Sequence, residues 1–135
     1  MFKTIATIKK FEDLDIWIEA RRLSKEIILI SKTTDLKTDY KLKDQIKSSS
    51  GSVMDNIAEG FERNGNGEFR QFLSIAKGSA GETRSQLYRV FDNDYIDKLK
   101  LNNLVSEYEK LSIKIHNFIT YLNKNDFKGT KFINS

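Results

Sequence analysis

In 135 residues this chain contains no proline. Proline is the commonest interior breaker of helices, so its absence leaves long helical runs uninterrupted. Four segments use that freedom. In the first, Leu14, Trp17, Ile18, Leu23, Ile27, Ile28 and Ile30 form a broad apolar face with charged residues between them. In the second, from Tyr40, the positions Leu42, Ile46, Val53, Ile57 and Phe61 recur mostly at three, four or seven residues, which is the helical period. The third runs from about Glu68 through Phe69, Phe72, Leu73, Ala76, Ala80, Thr83, Leu87, Val90 and Phe91 in one phase. The fourth alternates spacings of three and four through Leu101, Leu104, Tyr108, Leu111, Ile115, Phe118 and Leu122, a coiled-coil-like seam.

The connectors are short. "TTDLKTDY" joins the first pair, "RNGNGEF" the second and "DNDYID" the third. In the middle one, Gly65 and Gly67 can take positive φ without a Cβ penalty. Short loops force neighbouring helices antiparallel, so the predicted fold is all-α: an up-down-up-down four-helix bundle in one domain, 1–135. The bundle is expected over about 11–123, with residues 1–10 and 124–135 outside the core. The tail "NKNDFKGTKFINS" is polar and is expected to fray, or to dock only in an assembly.

With no cysteine and one histidine, thiolate catalysis, disulfide frameworks, zinc ribbons and iron–sulfur ligation are excluded. The N-terminal residues lack a signal-peptide pattern and no apolar run reaches the roughly 20 residues of a membrane span, so a soluble cytoplasmic protein with no membrane partner is expected. Glu59, Glu62, Glu68 and Glu82 could suggest a carboxylate-bridged metal pair, but that chemistry needs Glu-x-x-His motifs and His116 has no glutamate three residues before it. His116 is expected to be structural. The glycines of "RNGNGEF" lack the phosphate-loop spacing and no strand precedes them. No nucleophile elbow is present. No enzyme, cofactor or metal is predicted.

Two polar pairs stand beside the apolar seams. Asn56 and Glu59 are three apart on the second helix, and Ser79 and Glu82 are three apart on the third. Small residues surround both pairs, in "SSSGS" at 48–52 and "GSAG" at 78–81, and small side chains let helices approach closely. A buried hydrogen-bonded cluster of Asn56, Glu59, Ser79 and Glu82 fixing the register of the two helices is therefore predicted. "SAGE" also matches a capping box that would split the third helix in two at Ser79. The apolar phase runs through that point without a slip, so one continuous helix is the reading adopted.

The motifs Phe11-x-x-Leu14-x-Ile16-Trp17, Leu42-x-x-Gln45-Ile46, Ser52-Val53-x-x-Asn56-Ile57-Ala58-Glu59-Gly60 and Phe72-Leu73-x-Ile75-Ala76-x-Gly78-Ser79-x-x-Glu82 resemble the four-helix bundle family also called the 23S rRNA intervening-sequence proteins. The likeness extends from about Phe11 to Leu122. It implies an antiparallel bundle that assembles as a ring-like homopentamer. Some members of that family are encoded within insertions in large-subunit ribosomal RNA genes. A related branch comprises accessory proteins of diversity-generating retroelements, which bind nucleic acid and a reverse transcriptase. Two features depart from the pattern: no proline precedes the second helix, and "SSSGS" replaces a more basic stretch, leaving only Lys47.

Charge leaves a nucleic-acid role open. The balance of 23 basic and 19 acidic residues gives +4, which a pentamer would raise to about +20. Arg70, Lys77 and Arg84 are seven apart on the third helix, and Lys43 and Lys47 make a shorter row on the second. These five are the candidate contacts to structured RNA or DNA, read through backbone and shape. The competing account is that they are solvated faces of amphipathic helices. The expected function is thus a non-enzymatic, self-assembling bundle that binds nucleic acid, the alternative being a protein-interaction scaffold without a nucleic-acid role.

Overall fold

The computed structural model describes residues 8–124. Four helices account for most of them: α1 (Asp15–Thr33), α2 (Tyr40–Glu62), α3 (Asn66–Asp92) and α4 (Lys98–Lys124), with short 3₁₀ turns at Phe11–Asp13 and Asp35–Thr38. No strand occurs among the described residues.

Side-chain bonds fix the directions. On α2 and α3 the partners Gln45–Arg89, Ser49–Gln86 and Ser52–Ser79 rise on one helix as they fall on the other. Asp15–Lys114, Arg22–Glu107 and Glu26–Lys100 do the same for α1 and α4. Each neighbouring pair is antiparallel, and the helices follow one another in chain order around the bundle. The interior is one continuous apolar core in which Ile27, Ile46, Ile57, Phe61, Phe69, Leu73 and Leu87 are all fully buried.

The ends of the helices have local causes. Asp39 accepts a hydrogen bond from the Leu42 amide (3.3 Å) and so caps α2, and Tyr95 from the α3–α4 turn donates to the same carboxylate at 2.9 Å. That bond and partial burial raise the Tyr95 pKa. Between α2 and α3 the chain reverses in three residues, with Gly65 at φ +103°. Gly67 lies inside the first turn of α3, so only one of the two loop glycines has a left-handed conformation.

Two expectations are corrected. Helix α3 begins at Asn66, two residues before the predicted start. The core extends further toward the N-terminus than residue 11, because Ile8 is 5% exposed and packs in the same cluster. The predicted continuity of α3 through Gly78 and Ser79 holds, and Ser79 is an interior residue. The tail expected to fray or dock covers 123–135; Asn123 and Lys124 are the last residues of α4, and 125–135 lie outside the described residues.

One core group is out of place electrostatically. Tyr108 is fully buried, yet its hydroxyl has no hydrogen-bond partner. Desolvation pushes its pKa well above the usual phenol range, with nearby Arg22 opposing. An unpaired buried hydroxyl costs about 1–3 kcal/mol. Tyr108→Phe should therefore raise the melting temperature by several degrees in differential scanning calorimetry. A lower melting temperature would show that the hydroxyl is bonded in solution.

Candidate nucleic-acid interface

Where α2 meets α3, the small residues of both helices bring polar side chains into contact. Ser49 donates to Gln86 Oε1 at 2.5 Å, and Thr83 lies 2.8 Å from Ser49 Oγ. Ser52 and Ser79 hydroxyls are 3.0 Å apart, and Asn56 Nδ2 donates to the Ser52 carbonyl (2.8 Å) and hydroxyl (2.9 Å). Ser49, Thr83 and Gln86 are at most 5% exposed. With each hydroxyl and amide facing another, the seam fixes register without burying a charge.

This arrangement departs from the predicted cluster in its carboxylates. Asn56 and Ser79 take part, but Glu59 is exposed and pairs with Arg63 at 2.8 Å. Glu82 is also exposed and accepts only a long 3.4 Å bond from Gln86. Both carboxylates avoid desolvation by turning outward, while neutral groups occupy the interior. From the sequence, Thr83 is singled out only in the apolar phase of the third helix, and Ser49 and Gln86 not at all. The available signal was the run "SSSGS", whose hydroxyls can bond across a close helix contact while its small volume permits that contact.

The five candidate cations do not form one surface. Lys43 lies over the Tyr40 ring (4.8 Å) and donates to the Lys37 carbonyl at 3.2 Å. Arg70 donates to the Leu122 carbonyl at 3.3 Å, closing the end of α4. Arg84 faces Glu109 at 3.8 Å across the α3–α4 seam. Lys47 and Lys77 are exposed. By helical phase Lys43 and Lys47 occupy the flank of α2 away from α3, whereas the Arg70–Lys77–Arg84 row borders α4. The α2–α3 seam separates the two groups.

A different row is assembled on α1. All three of its acids are engaged in ion pairs: Asp15 with Lys114 (2.9 Å), Glu19 with Arg22 (2.9 Å), and Glu26 with Lys100 (3.3 Å). Arg22 also reaches Glu107 at 2.6 Å. These contacts gather the negative charge of α1 along the α4 seam. They leave Arg21, Lys25 and Lys32 exposed on the outer side, at spacings of four and seven that keep them in line. None of the three has an acidic partner among the described residues. The row is about 16 Å long at the α-helical rise. Trp17, half-buried beside it, touches Phe11 edge-on at 5.2 Å and has the Arg21 guanidinium 5.8 Å from its ring centre.

Among the described residues no group of three or more His, Asp or Glu side chains could hold a metal ion, and no helix is long and apolar enough to cross a membrane. His116 is exposed on α4.

Comparison with known proteins agrees with this architecture. The family described as 23S rRNA-intervening sequence protein matches residues 12–117. Among solved structures, a protein of unknown function from the S23 ribosomal protein family of Bacteroides thetaiotaomicron superposes with a TM-score of 0.70, covering 77% of this chain and 97% of that one at 20% identity. At that identity the likeness concerns the fold. No curated protein matches.

Proposed function

The chain belongs to the 23S rRNA-intervening sequence protein family, and from that premise we propose that it is a non-enzymatic, self-associating bundle that holds structured RNA or DNA against the outer face of α1. The observation that carries this reading is the segregation of charge on α1. Arg21, Lys25 and Lys32 stand in one exposed row while every acid of the helix is tied up at the α4 seam. A merely solvated amphipathic face usually interleaves both signs, and this one does not. Cations in a line and without acidic partners among the described residues neutralise phosphates and release counterions, whatever the base sequence. Lys47 and Lys77 are exposed but lie off the α1 row, and Lys43, Arg70 and Arg84 already have partners of their own.

Self-association is supported by the outer side of α4. Leu99 is 70% exposed and Ile113 60% exposed, two full heptads apart and so on one stripe. Covering that stripe with a second copy leaves the α1 row open, and in a pentamer the row would be repeated around the ring. The same stripe favours the second reading, in which it docks another protein, such as the reverse transcriptase of the retroelement branch, and the bundle is a scaffold.

Binding of nucleic-acid-free protein to a labelled structured RNA across a salt series, with mass followed by light scattering, tests the proposal. The expected result is a multiple of the 15.7 kDa chain whose affinity falls linearly on a log–log salt plot. An intact oligomer that binds no RNA at low salt would leave only the scaffold.

A further inference from the structure

Beside the cation row lies a shallow groove lined by Trp17, Ile18, Arg21, Arg22 and Lys25, with Glu12 and Glu26 completing it. Trp17 is the only tryptophan of the chain. Its ring is held in place by the Phe11 edge contact and carries the Arg21 guanidinium near one face. Of the two acids, Glu26 is neutralised by Lys100 at 3.3 Å. The groove therefore combines a fixed aromatic plane, a planar guanidinium and further cations on one accessible surface.

We propose that this groove takes one unpaired base of a structured RNA, stacked on the Trp17–Arg21 surface, while Lys25 and Lys32 hold the flanking phosphates. This rests on the nucleic-acid reading above and narrows it. A row of cations alone is indifferent to whether the bases are paired. An aromatic plane among those cations is not, because only an extruded or looped base has a free face to lay on it. Ile18, 48% exposed, extends the apolar floor next to the ring. The ligand that fits is thus a hairpin loop or bulge rather than a continuous duplex, and it needs no particular base, since every base has such a face.

Trp17 fluorescence reports directly on the contact. The full chain is titrated with an RNA hairpin bearing a long unpaired loop and, separately, with a blunt duplex of the same stem. The hairpin should quench Trp17 and bind on the order of tenfold more tightly than the duplex. Trp17→Leu, followed by anisotropy of labelled RNA, should lose that preference while keeping the duplex affinity. Arg21→Gln, at an exposed position, should reduce the preference while the Phe11 contact that holds Trp17 stays in place. Equal affinities for the two RNAs with unquenched Trp17 would overturn the stacking proposal and leave electrostatic binding in place. Failure to bind either RNA would overturn the nucleic-acid reading itself, and the stacking proposal with it.

Discussion

Gly60→Ala is expected to destabilise the bundle by about 2–3 kcal/mol, within the range of overpacking penalties in cores. A Cβ at residue 60 would lie 2.7 Å from the Phe72 Cβ, 3.0 Å from Phe69 Cδ1 and 3.4 Å from the Phe69 carbonyl oxygen. The first of these is attached directly to the α3 backbone and cannot swing aside, so relief requires α3 to move away from α2. That movement would strain the tight reversal at Gly65 and loosen the stack of Phe61 on Phe69, now edge-on at 6.0 Å. The gain in helix propensity of alanine over glycine, about 1 kcal/mol, offsets only part of this. Chemical denaturation would show a lower midpoint with an unchanged slope. Gly78→Ala is the matching control. A Cβ there has nothing within 4 Å, so propensity alone acts and stability should rise slightly.

The second large effect concerns the α1 row. Replacing Arg21, Lys25 and Lys32 together with glutamate should lower RNA affinity by on the order of a hundredfold or more at low salt, because three phosphate contacts are lost and three repulsions take their place. The melting temperature should hardly change, since the three side chains are exposed and form no ion pair among the described residues. The same reversal at Lys43, Lys47 and Lys77 should cost far less affinity, as these residues lie outside the α1 row and Lys77 is on a different flank from the other two. Electrophoretic mobility shift with both variants, and calorimetry on each, separates the loss of a contact surface from the loss of the fold.

How much of this was legible beforehand depends on the range of the interaction involved. The four helices and the unbroken α3 follow from local periodicity, and the packing rewards that periodicity directly. The α2–α3 seam was half legible. Spacing places Asn56 and Glu59 on one side of a helix, but a further rotation of about 60° between them, at 100° per residue, separates an inward amide from an outward carboxylate. Burial then selects the neutral group. The α1 row was legible in its spacing alone, since Arg21, Lys25 and Lys32 follow at four and seven residues, but not in its separation from the acids. Its sequence reads as mixed charge, with Asp15, Glu19 and Glu26 close to Arg21 and Lys25. The sorting is done by Lys100, Glu107 and Lys114, which lie 74 to 99 residues away along the chain. No local pattern encodes partners at that distance. The same holds for Arg84, whose apparent membership of a basic stripe ends at Glu109.

Lysine footprinting by acetylation and mass spectrometry, with and without bound structured RNA, tests which surface the nucleic acid covers. RNA is expected to protect Lys25 and Lys32 while Lys77 and the lysines of α2 label as in the free protein. Protection of Lys47 and Lys77 with α1 fully labelled would contradict it.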